Sequence, residues 1–325
     1  MNPAVKERVD AFLADLERAP VARHVLGVVV SGSAARGEEI WAGDRLVSDI
    51  DLMVLTRRTD PRRIAAIERV IARHRHAGID GGQVPVGPLR RYLTLAFYEA
   101  HANGVVVAGT LDPHRFVPAT EPADLPVWEG VRVLANRLME HVKLAVGEIS
   151  AERAVAKSYE ALAEAYLVAG KRYRPSYAER LAEFEREPPV SAPAEVCHAI
   201  VAVLQNRLGH TAAAAPPADP VVARRHLADG LGRLVSQYTG IEAPADGGLA
   251  RLARREKHWR HRLYWAARLA AAGRWSEIDL SADPVVRLWQ RGLNTGTSST
   301  EDRRRLLRDW RTCPQPLVTR KGGSA

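Results

Sequence analysis

Hydrophobic residues recur along this chain with two different periods, and the change from one to the other divides it. Over residues 3–18, Val5, Val9, Phe12, Leu13 and Leu16 fall at helical spacing and predict an amphipathic opening helix. VLGVVVS (25–31) is a β-branched run bounded by turn residues, the pattern of a buried strand. Ser33-Ala34-Ala35-Arg36 then starts a short helix, and GEEIWAGDRLVS (37–48) reads as a loop or hairpin turning at Gly43-Asp44. DIDLMVL (49–55) is a second strand. Thr59-Asp60-Pro61 supplies an N-cap and a first-turn proline. The helix they open turns Ile64, Ile67, Val70 and Ile71 inward and stops near Gly78. Residues 79–86 return to extended structure, 88–103 form a further helix, and GVVVAG (104–109) is a third apolar strand. Strands interleaved with helices predict an α/β domain over residues 1–120.

From residue 121 to 325 the period is helical throughout. Helices are expected at 126–146, 151–169 (ended by Gly170), 176–187, 193–209, 220–238, 248–272 and 299–311. APPADP (215–220) and APADGG (243–248) are breaks, the latter a candidate sub-boundary. The tail VTRKGGSA has the composition of a disordered end.

With 325 residues the chain has room for two cores. Its 46% hydrophobic and 26% charged content is ordinary for a soluble protein. No apolar run reaches the ~18 residues of a membrane span, and the opening helix lacks the apolar core of a signal peptide, so a cytoplasmic location is expected. Two cysteines, Cys197 and Cys313, are too few for a disulfide framework and read as packing residues. The net charge of +9 is uneven. Residues 1–120 carry 16 Lys+Arg against 14 Asp+Glu, whereas residues 251–325 carry 17 against 7. A basic C-terminal surface follows, but 41 arginines against 6 lysines also fit GC-rich coding, and nucleic-acid binding does not follow.

The segment that carries chemistry is VVVSGSAARGEEIWAGDRLVSDIDLMVL (28–55). A Gly-Ser pair ends a buried strand directly before a helix, where backbone N–H groups without helical partners suit a phosphate. Gly32 admits close approach to the backbone, and the Ser33 hydroxyl adds a donor. Asp49 and Asp51 stand two apart in a strand, so their carboxylates share one face while Ile50, Leu52 and Val54 face the core. Such a pair suits Mg²⁺, which takes one or two protein carboxylates and completes its shell with phosphate and water. Gly32 and Gly37 have P-loop spacing, but Glu38 stands where the lysine is required, and no dinucleotide fingerprint is present.

G-S-x-x-R-G-E followed by S-D-I-D-L-M-V resembles the signature of the nucleotidyltransferase superfamily, over about the first 110 residues. The resemblance implies a small mixed-sheet α+β catalytic domain followed by an all-α helical domain. It further implies that Gly32 and Ser33 hold a triphosphate, that Asp49 and Asp51 bind two Mg²⁺ ions, and that Arg36 belongs to the nucleotide site. A third carboxylate from a later strand is expected. Asp80 in IDGGQVPV is the first candidate, against a turn role before Gly81-Gly82; Glu99 and Glu38 follow. Lys157 is a candidate phosphate contact, against an ordinary pairing with Glu160 or Glu164. Asn136, Arg137 and the segment KRYRPSY (171–177) are weaker candidates, and the histidines of RHRH (73–76) and HWRH (258–261) lack partners for a metal role.

The expected activity is transfer of a nucleoside monophosphate from a nucleoside triphosphate, ATP first, to a hydroxyl acceptor. A small molecule is favoured as acceptor over a nucleic acid or protein, with no membrane partner. The rival readings are a macromolecule-directed transferase and a non-catalytic nucleotide-binding scaffold.

Overall fold

The structure, a computed structural model, describes residues 1–239 apart from 59, 88–92, 118 and 211–215. The helices expected at 248–272 and 299–311, the break at 243–248, Cys313 and the basic region 251–325 lie outside the described residues. The described residues divide into two compact units, one built from Met1–Leu125 with Pro175–Glu179, the other from Pro126–Arg174 with residues 180–239. The break between the units lies at Leu125–Pro126, and residues 175–179, beyond it in the chain, belong to the first unit.

The first unit opens with α1 (Pro3–Arg18), in which the Asn2 side chain accepts from the N–H of Ala4 and Val5, Val9, Phe12 and Leu16 are buried. β1 (Val25–Ser31) runs directly into α2 (Gly32–Arg36). The polar stretch that follows forms the expected hairpin, β2 (Trp41–Ala42) and β3 (Arg45–Leu46). β4 (Ile50–Thr56) leads through the Asp60 cap, whose carboxylate accepts from the N–H groups of Arg62 and Arg63, into α3 (Pro61–His74). β5 (Ile79–Pro85), α4 (Leu95–Asn103), β6 (Val105–Gly109) and the single turn α5 (Pro113–Phe116) complete it.

The sheet order is β5-β4-β1-β6. β1 pairs antiparallel with β4 and with β6, whereas β4 and β5, joined through α3, are parallel. The sheet is mixed and the unit is α+β, where alternation alone had suggested an α/β domain. Each face of the sheet buries its own core. Val28, Val30, Ile50, Leu52, Val54 and Ile79 pack with α1 and with Ile67, Val70 and Ile71 of α3. Val29, Met53 and Leu55 pack with Phe97 and Ala100 of α4. Period-2 alternation along β4 thus serves two cores, which is why the strand reads as almost continuously apolar after Asp51.

β5 contains Gly81-Gly82 without a turn. Gly81 has φ +142°, and a Cβ there would overlap the Leu52 carbonyl, with its carbon at 2.8 Å. Only glycine lets β5 approach β4 this closely.

The second unit is helical over its described residues: α6 (Val127–Ala145), α7 (Ala151–Ala169), α8 (Tyr177–Arg186, which begins in the first unit), α9 (Ala194–Arg207) and α10 (Pro220–Thr239). Leu134 and Leu138 of α6, Leu162 and Tyr166 of α7, and Leu227, Leu231 and Leu234 of α10 are all buried. Cys197 is buried on α9, as a packing cysteine should be. No helix among the described residues is long and apolar enough to cross a membrane.

The buried titratable groups of this unit include His141 and Glu160. His141 is 7% exposed and its ring Nε2 lies 2.9 Å from the Ser158 hydroxyl, which itself donates to the carbonyl of Ala154. Ser158 therefore accepts from Nε2–H, and the imidazole is the Nε2–H tautomer. Burial, then the charge of Arg224, hold its pKa at about 4, against a smaller opposing effect of Glu140. The folded state thus refuses a proton that the unfolded chain takes up below pH 6.5. Stability is expected to fall as pH drops from 6.5 towards 4, by about 2 kcal/mol between pH 7 and pH 5. Urea unfolding of the wild type and of His141→Gln checks this, with the variant expected to lose the slope. Glu160 contributes only at lower pH. Its own burial raises its pKa, but Lys157 and Arg207 outweigh that and bring it to about 2, so its stabilisation is lost below pH 4.5.

Candidate functional site

β1 and β4 bring the two halves of the sequence motif to one place. Ser31, the last residue of β1, is in register with Asp51, and Asp51 is in register with Asp80 on β5. A row Ser31–Asp51–Asp80 therefore crosses three adjacent strands, about 4.8 Å apart. Ser31 is buried and its hydroxyl donates to the Asp51 carbonyl at 3.4 Å, which fastens the end of β1 to the start of β4.

Immediately after Ser31 the chain leaves the sheet. Gly32 has φ +65°, in the left-handed region. A Cβ on Gly32 would overlap Oδ2 of Asp51 and stand 3.4 Å from its Cγ. The Asp51 carboxylate thus lies directly against the glycine backbone. Two independent constraints, the backbone torsion and the space taken by the carboxylate, require glycine here. Ser33 is buried, 7% exposed, in the first turn of α2, and its carbonyl accepts from the N–H groups of Gly37 and Glu38. Asp49 is half-buried and directly precedes β4, while Asp51 is exposed. Ile50 between them is fully buried in the α1–α3 core, so Asp51, the next residue of β4, is held on the opposite side of the strand.

The structure places the other candidates differently. Asp80 reaches the expected strand position, but its carboxylate is exposed and Oδ1 accepts from the N–H of Gly81 at 2.9 Å. Among the described residues no three His, Cys, Asp or Glu side chains converge to hold a metal ion. The expected triad of Asp49, Asp51 and Asp80 is therefore not assembled as a ligand set. Electrostatics supply the reason: like charges repel, and a short exposed side chain turns to the nearest donor. Asp80 also faces the half-buried Glu68 of α3, whose pKa is raised by burial, lowered by Arg75 and raised again by Asp80.

Arg36 is not open to a ligand either. Its side chain is 6% exposed, Nε lies 2.7 Å from Glu38 Oε2 and Nη1 3.4 Å from Glu99 Oε2. Its guanidinium lies 5.5 Å from the centre of the Tyr177 ring. Glu38 Oε1 in turn accepts from the backbone N–H of Tyr177 at 2.9 Å. The second and third candidates for the extra carboxylate, Glu99 and Glu38, thus neutralise Arg36 instead. The four residues fasten the Pro175–Glu179 segment to the turn that follows α2. Sequence reasoning missed this cluster; its one visible signal was the mixture of cations and tyrosines in KRYRPSY. Within that segment Lys171 and Arg174 are exposed, whereas Tyr173 is 1% exposed, with the Arg180 guanidinium 4.9 Å from the centre of its ring.

Lys157 belongs to the second unit, where Nζ lies 3.1 Å from Glu160 Oε2, and Arg207 Nη1 lies 2.7 Å from Glu160 Oε1. The ordinary pairing weighed for Lys157 is the one formed. Arg137 lies 4.0 Å from Glu140. His74 has a carboxylate partner that its sequence neighbourhood did not reveal, Asp15 of α1, 2.9 Å from Nε2.

The turn joining β1 to α2, with the start of β4 beside it, is the site these residues build. It is a glycine cradle in the left-handed conformation with a buried serine on one side and two acids on the other. No protein-family model, curated protein or solved structure matches the chain, and a functional reading rests on the geometry of this turn.

Proposed function

We propose that the chain is a magnesium-dependent nucleotidyltransferase, moving a nucleoside monophosphate from a nucleoside triphosphate, ATP first, to a hydroxyl acceptor. One observation carries the reading: the Asp51 carboxylate lies against the Gly32 backbone, so the Gly-Ser turn and the acidic strand face meet at one point. The donor set fits the cation. Asp49 and Asp51 offer hard oxygen ligands, the Asp51 carboxylate directly beside the Gly32 backbone, and Mg²⁺ characteristically uses one or two carboxylates together with substrate phosphates. Bound there, Mg²⁺ would supply charge neutralisation on the triphosphate. The protein's part is positioning. The backbone at Gly32 and the Ser33 hydroxyl orient the phosphates, and Asp49 and Asp51 fix the cation side. The acceptor oxygen bonds to the α-phosphorus as pyrophosphate leaves, and the hydroxyl proton passes to a carboxylate, for which Asp80 is the exposed neighbour.

Thermal unfolding of the full chain tests the reading. A triphosphate at a hundredfold excess over its Kd is expected to stabilise the protein by about 2.7 kcal/mol when Mg²⁺ is present, and far less with EDTA. Melting curves unmoved by ATP, GTP, CTP and UTP, all with Mg²⁺, would remove it in favour of a scaffold.

A further inference from the structure

The positive charge of the first unit is gathered on one stretch of the chain, α3 with its two flanks. Residues 57–76 hold seven arginines, at 57, 58, 62, 63, 69, 73 and 75, against two acids, Asp60 and Glu68, a net of +5. The remainder of residues 1–120 holds 9 Lys+Arg against 12 Asp+Glu, a net of −3. A uniform coding bias towards arginine would not sort charge in this way.

The helix phase sharpens the pattern. At 100° per residue, Arg62, Arg69 and Arg73 fall within about 40° of one another on α3. All three are exposed, with the small Ala65 exposed between them, while Ile67, Val70 and Ile71 on the other side of the helix are in the core. Arg57 and Arg58 before the helix, and Arg75 and His76 after it, are exposed as well. Acidic neighbours only partly offset this stripe. Arg73 lies 3.5 Å from Asp15 and Arg75 3.9 Å from Glu68, yet both arginine side chains remain 57% exposed. Nε of the exposed Arg69 donates to the Ala65 carbonyl at 3.1 Å. No exposed Phe, Tyr or Trp side chain interrupts the described part of this face, and its one exposed imidazole, His76, already stacks on His74 with ring centres 6.5 Å apart, so the stripe presents cations with little surface on which bases could stack.

We infer that the outer face of α3 binds the phosphodiester backbone of a double-helical nucleic acid. The stripe from Arg62 to Arg73 is about 17 Å long, a length over which a duplex presents about ten phosphates. Arginine forks match phosphate geometry better than lysines do, which suits the composition of this face. The scarcity of stacking surface favours duplex over single strands. The inference rests on the placement of charge and stands apart from nucleotidyl transfer.

Fluorescence anisotropy with labelled duplex RNA and duplex DNA tests it, using the full chain. Two triple variants are compared: Arg62→Ala/Arg69→Ala/Arg73→Ala on the stripe, and Lys6→Ala/Arg45→Ala/Arg115→Ala at exposed positions elsewhere in the same unit. Both remove three charges, and thermal melting monitors folding. The stripe variant is expected to weaken binding at least tenfold and to make the slope of log K against log salt shallower by about 2.7. The control should leave both nearly unchanged. Preference for one duplex over the other identifies the backbone read. Equal losses in the two variants, no duplex binding by the wild type, or equal affinity for poly-glutamate each overturn the proposal.

Discussion

Asp51→Asn is expected to reduce nucleotidyl transfer by about a thousandfold while leaving the protein folded. Asparagine keeps the size of the side chain, so the contact with the Gly32 backbone and the pairing of β1 with β4 survive. What is lost is the negative charge and one strong oxygen ligand. Removing a single group that stabilises charge in the transition state costs about 10²–10³ in rate, and here a cation would lose its anchor as well. The melting temperature should stay level or rise, because Asp51 stands in register with Asp80 and relief of their repulsion favours the folded state. Asp49→Asn should behave in the same way. Asp80→Asn is the informative contrast: its carboxylate is engaged by the Gly81 N–H, so a smaller loss is expected, confined to proton transfer from the acceptor. Pyrophosphate release with each triphosphate measures all three. Retention of most activity by Asp51→Asn would remove the acidic pair from the mechanism.

The parts of the fold that are legible in the sequence are those decided by local chemistry. β1 occupies Val25–Ser31 and α7 Ala151–Ala169, as their patterns require, because a β-branched run and a capped helical period leave little alternative. The Asp60 cap and the hairpin at Gly43 are of the same kind. Less legible is anything settled by a distant partner. Nothing near Arg36 reveals that Glu99, 63 residues later, and Tyr177 would enclose it. Nothing near Asp15 announces His74. The position of Asp80 followed from topology, since a strand returning through α3 lies beside β4. The direction of its carboxylate did not, because rotation about one side-chain bond separates a metal-facing acid from one that accepts its neighbour's N–H. The alternation along β4 marked Asp51 as outward, but only packing revealed that its carboxylate and Gly32 share a contact.

That contact makes Gly32→Ala the second severe change, and it separates function from stability. Alanine at φ +65° costs roughly 1–2 kcal/mol from the left-handed backbone alone. The new Cβ would also overlap Asp51 Oδ2, the terminal atom of a flexible side chain, so the overlap is relieved by turning the carboxylate. Relief of that kind costs only about 0.5–1.5 kcal/mol in rotamer strain, but it moves the acid on which the proposed chemistry depends. A displacement of about 1 Å can lower a rate by about 10²-fold, so transfer should fall at least that far while the protein still folds. A double-mutant cycle on stability checks the contact without any assay of activity. In an Asp51→Ala background the nearest neighbour of the new methyl is a Cβ at an ordinary 3.6 Å, and only the backbone strain should remain. Gly32→Ala is therefore expected to cost less in that background than in the wild type, by about 0.5–1.5 kcal/mol. An identical cost in both backgrounds would mean that the Asp51 carboxylate does not lie against Gly32, and the proposed site would lose the observation that carries it.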